Sequence, residues 1–226
     1  MAIEWSAVKA VKIPEGDCKR VAINGTIVWE KGGLPSEYQQ VAYIEGDGKS
    51  WINTGIPIST VSALNTNWSF TFSVRNFNKR FQIVAGANSK FKQFVIMNNK
   101  NIRGDWVLGT ISGSVLSGMI ANTPYTISQE DGFLVTDTST QEIKTTSDSD
   151  IPFTLLARAD DATRVEPSTI TVGRLYGFTL TDNGVDRMNL VPCYRKQDGE
   201  IGMYDLVNGV FYTNSGSGTF IKGEDV

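Results

Sequence analysis

The sequence contains no histidine among its 226 residues. Histidine supplies the base of Ser-His-Asp and Cys-His systems and is the commonest metal ligand in proteins, so its absence excludes those nucleophile systems and histidine-ligated metal centres. Cysteine is almost as scarce. Cys18 and Cys193 lie far apart in the chain and form neither a disulfide framework nor a zinc site of their own. We expect both to be free thiols, buried or half-buried.

Long apolar runs and clusters of basic residues are also missing. The longest uninterrupted apolar runs span four residues, 41–44 and 94–97, which is too short for a membrane-spanning segment or the core of a signal peptide. The formal net charge is −3, and no cluster of Lys or Arg is long enough to attract nucleic acid or anionic lipid. We therefore expect no nucleic-acid partner, no membrane insertion and no signal peptide.

Short segments of alternating apolar and polar residues dominate what is present. In segment 67–75 every second residue is apolar, namely Trp68, Phe70, Phe72 and Val74, and the residues between them are polar. We therefore expect one face of this strand to pack in the core and the other to face solvent. Related segments occur at 81–85, 91–97, 105–108, 125–128, 133–136, 153–158 and 169–180. No stretch keeps a 3.6-residue apolar period. The pattern predicts an all-β, antiparallel two-sheet sandwich with little helix.

The first 33 residues have a pattern of their own. Asn24-Gly25 lies between β-branched segments, which is the strongest short-range signal for a β-hairpin. Gly32-Gly33 then predicts a flexible joint, so we expect a small β module at 1–33 and the sandwich at 34–226. Both faces of the hairpin are partly apolar, and a hairpin alone is marginally stable. It should therefore pack on a third strand, on the sandwich or on another subunit.

Two stretches carry a resemblance to a known family. They are LPSEYQQVAYIEGDGKSWINTG at 34–55 and LVPCYRKQDGEIGMYDLVNGVFYTNSGSGTF at 190–220. Over about residues 34–220 the chain resembles the laminin-G or concanavalin A-like jelly-roll domains of phage and prophage structural proteins, which also occur in surface proteins of gut bacteria. The resemblance implies a jelly-roll sandwich of the concanavalin A type, preceded by the small β-hairpin module.

The resemblance also implies a function. It indicates a non-catalytic binding or structural protein of a phage or prophage tail, made in the bacterial cytoplasm and located in the virion. The N-terminal module would dock on the particle, on other tail or surface subunits, or on sister chains in a homo-oligomer. The sandwich would recognise a cell-surface carbohydrate. Two alternatives stay open: a virion or surface protein without a ligand, and a glycan hydrolase of the same fold.

The sequence lacks the arrangement of carboxylates that a glycan hydrolase of this fold would need. Retaining glycosidases need two carboxylates about 5 Å apart, and the glucanases of the fold that the resemblance implies carry a Glu-x-Asp-x-Glu arrangement, which is absent here. The nearest acidic groups are Glu45-Gly-Asp47, Asp148-Ser-Asp150 and Asp160-Asp161. We interpret all three as solvated acids in turns or loops and predict that the protein is not an enzyme.

One local cluster has the chemistry of a carbohydrate site. A sugar ring needs an exposed aromatic face, and its hydroxyl groups need amide and charged partners. The residues that offer both within a short segment are Trp106, Asp105, Arg103, Asn98 and Asn99. The competing interpretation places Trp106 in the core, as is usual for tryptophan in sandwiches.

The resemblance makes calcium a candidate metal ion. Lectin-like sandwiches hold calcium through loop carboxylates, backbone carbonyls and Asn side chains. The candidate ligands are Asp148, Asp150, Asp160 and Asp161, although their spacing does not match an EF-hand. We expect no other cofactor.

Overall fold

The computed structural model describes residues 20–23, 26–30, 33–78, 81–87, 92–97, 102–104, 116–143, 146–161, 164–165, 167 and 170–226. Strands make up nearly all of the secondary structure in these ranges, and α1 (Ile58–Val61) is a single helical turn. No helix among them is long and apolar enough to cross a membrane. The strands are β1 (Arg20–Ile23), β2 (Thr26–Glu30), β3 (Tyr38–Gln40), β4 (Ile44–Asp47), β5 (Ile52–Pro57), β6 (Thr66–Val74), β7 (Phe81–Ala87), β8 (Lys92–Met97), β9 (Ile102–Gly104), β10 (Tyr125–Glu130), β11 (Phe133–Thr136), β12 (Ser139–Glu142), β13 (Pro152–Leu155), β14 (Val172–Asp182), β15 (Val185–Arg195), β16 (Ile201–Asp205), β17 (Val210–Thr213) and β18 (Ile221–Lys222).

The strands from β3 onward form two antiparallel sheets that pack face to face, which confirms the predicted all-β sandwich. The larger sheet has eleven strands in the order β12-β11-β10-β6-β14-β15-β16-β17, with β3 paired to β15 and with β4 between β14 and β18. The smaller sheet has five strands in the order β5-β13-β7-β8-β9. Because β3, β4 and β18 join the larger sheet, residues near both ends of the sandwich segment lie beside its central strands.

The core lies between the two sheets. Trp68, Phe70, Phe72 and Val74 of β6 are each at most 2% exposed, as their alternation predicts. The ring of Phe153, on β13 of the smaller sheet, lies 6.4 Å from the ring of Trp68. Burial of each such side chain contributes about 1.5–3 kcal/mol to folding. Since this parity of β6 faces inward, the other parity defines the outward face of the larger sheet.

Strand β14 brings distant segments together. One of its edges pairs with β6, from Gly173 to Asp182. Its other edge pairs with β4 over Val172–Leu175 and with β15 from Phe178 onward. A register shift between Leu175 and Gly177 marks the change of partner. As a result β4, β6 and β14 are side by side, although more than 90 residues of sequence separate β6 from β14.

The two stretches that carry the family resemblance contact each other. The side chain of Asn214 accepts a hydrogen bond from the N–H of Trp51 at 3.1 Å and donates to the carbonyl of Gly218 at 2.7 Å. At Gly216, a Cβ atom would lie 1.9 Å from the carbonyl oxygen of Lys49, so only glycine permits this approach. The opening and closing stretches therefore build one shared piece of the sandwich.

Several local expectations need correction or completion. The predicted strand 153–158 ends at Leu155, because Leu156 has a φ of 65° and a strand cannot continue through that conformation. The predicted strand 169–180 runs from Val172 to Asp182. Cys193 is a buried free thiol, as expected, while Cys18 and the predicted strand 105–108 lie outside the described residues.

Strands β1 and β2 pair as an antiparallel two-stranded sheet, in agreement with the predicted hairpin. The register places Val21 opposite Trp29 and Ala22 opposite Ile27, so one residue of β2 is bulged between these pairs. The turn residues of this hairpin lie outside the described ranges. The domain boundary after residue 33 stays a prediction.

Candidate functional site

Small hydroxyl side chains cover the centre of the larger sheet's outward face. On β6, Ser69, Thr71 and Ser73 have the outward parity, and the hydroxyl groups of Thr71 and Thr126 lie 2.8 Å apart across β6 and β10. The expectation that this whole parity is wet is wrong for Ser73, which is 1% exposed. The phenol oxygen of Tyr176 lies 3.3 Å from the Ser73 hydroxyl. Larger side chains therefore cover the end of β6.

Those larger side chains include two arginines joined by one carboxylate. Glu45 on β4 is directly opposite Arg174 on β14, and its Oε2 accepts a hydrogen bond from the Nε of Arg174 at 2.8 Å. Its Oε1 accepts a hydrogen bond from Arg75 at 3.1 Å, just beyond the end of β6. Both carboxylate oxygens of Glu45 are thus occupied by guanidinium groups. We call Arg75, Glu45 and Arg174 the arginine array.

Two tyrosines frame the arginine array. The guanidinium carbon of Arg174 lies 4.2 Å from the ring centroid of Tyr43, within cation–π range. The rings of Tyr43 and Tyr176 are 5.6 Å apart and inclined at 60°. A Cβ at Gly223 would come within 2.9 Å of the Tyr43 ring, so the backbone after β18 packs against this tyrosine. Aromatic surface, guanidinium donors and a carboxylate are therefore concentrated at one place on the outward face.

Hydrogen bonds favour the charged form of Arg174. The pKa of the Arg174 guanidinium is raised above its ordinary value, first by the hydrogen bond to Glu45 and further by its hydrogen bond with Tyr176, although burial acts in the opposite direction. Glu45 is only 7% exposed, while the side chain of Arg75 is 60% exposed. The carboxylate is thus sheltered, and donors of Arg75 face the solvent.

The interpretation of Glu45-Gly-Asp47 as solvated turn acids was wrong for Glu45, which lies in strand β4 and is nearly buried in ion pairs. Asp47 is the last residue of β4 and is exposed, as predicted. Burial raises the pKa of Asp47, but hydrogen bonds from the Lys49 N–H, the Ser50 hydroxyl and the Thr219 backbone together lower it below its ordinary value. A general acid at neutral pH needs a raised pKa. The carboxylate of Asp47 is therefore suited to accepting hydrogen bonds and not to acting as a general acid.

A second aromatic cluster lies where β3, β15, β16 and β17 meet. The ring of Tyr38 lies 4.8 Å from that of Tyr204 and 4.9 Å from that of Phe211. Arg195 stands 5.6 Å from the Phe211 ring and pairs with Asp198 at 2.7 Å. Burial is the first cause that raises the pKa of Tyr204. Since Tyr204 is 9% exposed and Arg195 is neutralised by Asp198, this cluster is mainly packing.

A small depression lies beside the turn between β15 and β16. It has a volume of about 280 Å³ and lies between that turn and the glycine-rich loop before β18. Its lining residues are Asp198, Gly199, Glu200, Ile201, Asn214, Gly218, Thr219 and Phe220. Asp198 forms an ion pair with Arg195, and the side chain of Asn214 hydrogen-bonds the backbone of the glycine-rich loop. Few polar groups therefore remain for a ligand.

The carbohydrate cluster predicted from the sequence remains untested. Trp106, Asp105, Asn98 and Asn99 lie outside the described residues, and Arg103 lies in β9, where the structure gives the backbone pairing alone. The burial of Trp106, which would decide between a surface and a core role, therefore stays open. Nothing described connects this segment with the arginine array.

The four predicted calcium ligands are not assembled into a described site. Asp148 and Asp150 are exposed in the loop before β13. Asp160 pairs with Arg158 at 3.0 Å, and Asp161 pairs with Arg164 at 3.6 Å. Among the residues that the structure describes, no group of three or more Asp, Glu or Cys side chains is arranged to hold a metal ion. Calcium binding stays a prediction.

Sequence reasoning missed the arginine array because its members are distant in the chain. Glu45 lies in β4, Arg174 and Tyr176 lie in β14, and Arg75 follows the end of β6. Tyr43 immediately precedes β4. Pairing of β14 with β4 and with β6 brings these segments together. The one local signal was parity: Arg75 continues the outward face of β6, and Arg174 interrupts the apolar alternation of β14. Neither signal identifies a partner.

Comparison with known proteins finds similarity to a solved structure. No protein-family model matches the chain, and no curated protein sequence matches it. The structure is similar to the crystal structure of a “putative carbohydrate binding protein” from Bacteroides ovatus, with 11% sequence identity and a TM-score of 0.48. The match covers 86% of this chain and 63% of that protein, so the chain spans less than two thirds of its length.

Proposed function

We propose that this is a non-catalytic carbohydrate-binding protein and that the arginine array, with Tyr43 and Tyr176, is its saccharide site. The observation that carries the proposal is the nearly buried carboxylate of Glu45, held on an outward sheet face by Arg75 and Arg174. Of the two ion pairs, the one with Arg75 adds little to folding, because the Arg75 side chain is 60% exposed and exposed ion pairs contribute little stability.

The chemistry of the array suits a sugar. Guanidinium N–H groups donate to hydroxyl and carboxylate oxygens in a fixed planar geometry. The rings of Tyr43 and Tyr176 supply apolar surface next to these donors. The ion pairs with Glu45 and the ring contact with Tyr43 hold Arg174 in place before a ligand arrives, which lowers the entropic cost of binding.

The same geometry supports a binding role in preference to hydrolysis. A retaining glycosidase needs one carboxylate as a nucleophile and a second, protonated one as an acid about 5 Å away. Glu45 has both oxygens engaged by arginines, and the pKa of Asp47 is lowered by its hydrogen bonds. Neither group on β4 has the environment of a general acid.

We further propose that the protein acts in a phage or prophage tail and is located in the virion. This part rests on the resemblance of residues 34–55 and 190–220 to phage structural proteins. In this arrangement the 1–33 module mounts the chain on other tail subunits or on sister chains, and the sandwich presents the arginine array to a cell-surface glycan. The edge strands β12 and β17 are also available for contacts between chains.

The test is a broad glycan array probed with the intact chain, with and without calcium. We expect binding to at least one glycan and its loss in Arg174→Ala. The matched control is Arg187→Ala, since Arg187 is also paired on the larger sheet, at 3.2 Å from Asp182. Asp182 lies eight residues from Arg174 along β14, or about 26 Å at roughly 3.3 Å per residue. If the folded wild-type protein bound no glycan on the array, the proposal would be refuted and a structural role without a ligand would be favoured.

A further inference from the structure

The arginine array carries an excess of positive charge on an acidic protein. Two guanidinium groups face one carboxylate, so one positive charge is unbalanced, whereas the whole chain has a formal net charge of −3. The exposure is also uneven. The side chain of Glu45 is 10% exposed and that of Arg75 is 60% exposed. The sheltered carboxylate neutralises the buried side of the array, and the solvent-facing side is cationic.

The unbalanced charge is located at Arg75. The guanidinium of Arg174 is covered by Tyr43 at 4.2 Å and hydrogen-bonds Glu45 through its Nε. Arg75 uses Nη1 for Glu45 at 3.1 Å, and a guanidinium has five N–H donors. Its remaining donors are therefore open to an incoming acceptor.

The neighbouring acid does not occupy these donors. Asp47 follows Glu45 by two residues on β4, but its Oδ1 accepts hydrogen bonds from the Lys49 N–H and the Ser50 hydroxyl, each at 2.9 Å. The Thr219 backbone contributes a further hydrogen bond. The carboxylate of Asp47 is thus held by the turn after β4 and by the glycine-rich loop, and among the described residues the ion-pair partner of Arg75 is Glu45.

We infer that the saccharide bound at the array is acidic, and that Arg75 binds its carboxylate. A planar guanidinium matches a carboxylate with two parallel hydrogen bonds, and one carboxylate balances the one excess positive charge. The ligand class is then a glycan that contains a uronic acid or another carboxylated sugar, with its ring next to Tyr176. This inference rests on the proposed function, since it names the ligand of the same site.

The experiment compares ligands that differ only in the carboxyl group. Oligosaccharides containing uronic acid are tested beside the same oligosaccharides after chemical reduction of each carboxyl to a primary alcohol, using calorimetry with the intact chain. Sulfated and phosphorylated oligosaccharides form two further arms. We expect the acidic form to bind about tenfold or more tightly than its reduced counterpart, the range of a charge-assisted hydrogen bond. We also expect this preference to shrink as salt is raised.

Variants of Arg75 separate recognition from folding. Arg75→Gln removes the positive charge and should abolish most of the preference for the acidic form. Arg75→Lys should keep part of this preference, because the charge stays but the planar guanidinium that forms two parallel hydrogen bonds is lost. The control is Arg187→Gln, whose side chain is 53% exposed and ion-paired like that of Arg75. Circular dichroism and the urea midpoint establish that each variant is folded.

Each outcome decides the inference. Preference for the carboxylated ligand that depends on Arg75 and not on Arg187 supports it. Equal binding of acidic and reduced ligands, or binding of sulfated or phosphorylated ligands alone, overturns the inference and leaves carbohydrate binding intact. Absence of binding to every saccharide overturns the proposed function itself. Binding of an acidic protein surface without any saccharide would do the same.

Discussion

Replacing Asp205 by alanine should destabilise the sandwich by about 3 kcal/mol. Asp205 ends β16 inside the YDLVNG stretch and is fully buried. Its Oδ1 accepts hydrogen bonds from the backbone N–H groups of Asn189 at 2.9 Å and Val207 at 3.0 Å, and its Oδ2 accepts one from the side-chain amide of Asn208 at 2.6 Å. One carboxylate therefore ties the turn after β16 to the neighbouring strand β15.

The magnitude follows from these three bonds and two offsets. A hydrogen bond to a charged group contributes about 1.5–3 kcal/mol, so three bonds would sum to more than 4 kcal/mol if they were independent. The N–H of Val207 can be rehydrated, because this residue is 41% exposed, and removing a buried carboxylate also removes its desolvation cost. About 3 kcal/mol remains, which corresponds to a fall in Tm of roughly 6–12 °C for a chain of this size.

The assay is urea unfolding followed by tryptophan fluorescence and by circular dichroism. Asp205→Asn keeps one carbonyl oxygen for the two backbone donors but loses the charge and the bond to Asn208, so it should cost about 1–2 kcal/mol. Asp186→Ala, at an exposed position of β15, should change stability by less than about 0.5 kcal/mol. If Asp205→Ala and Asp186→Ala behaved alike, the structural account of the closing stretch would be refuted.

Two further predictions concern Gly216 and Cys193. Gly216→Ala would place a Cβ 1.9 Å from the Lys49 carbonyl oxygen and should lower the free energy of unfolding by about 3 kcal/mol in the same urea assay. The control is Gly177→Ala, whose Cβ would have its nearest contact at 3.5 Å and which should lower it far less. Equal losses of stability would contradict the packing of the two stretches. Burial raises the pKa of the Cys193 thiol to about 12, so in a Cys18→Ser background an aromatic disulfide reagent at pH 8 should react only after unfolding. Rapid reaction of the folded protein would show that Cys193 is accessible.

The class of fold was readable from the sequence because its causes are local. Alternation along β6 predicted that Trp68, Phe70 and Phe72 face the core, and all three are buried. Side-chain direction in a strand depends only on parity, so a nine-residue segment contains all of the information required. The resemblance of residues 34–55 and 190–220 predicted a sandwich of the concanavalin A type, and this type stays a prediction.

Strand ends and exposures were less predictable because they depend on backbone and tertiary details. The strand predicted to reach residue 158 stops at Leu155, where Leu156 takes a positive φ. Ser73 follows the outward parity of β6 but is covered by Tyr176, which belongs to a strand far away in the chain. For Ser73 the predicted side-chain direction was correct, and a contact from outside the segment changed its exposure.

The sequence by itself determined the all-β class, the inward face of β6, the hairpin pairing of β1 with β2 and the exclusion of histidine chemistry. These follow from composition and from the two-residue period of a strand, which need no knowledge of distant partners. Only the tertiary structure decided which strands are neighbours. Pairing of β14 with both β4 and β6 brings Arg75, Glu45 and Arg174 together. Glu45, which was predicted to be a solvated acid in a turn, is the nearly buried centre of the arginine array. The sequence did not show this, because the order of strands in a sheet is set by packing across the whole core.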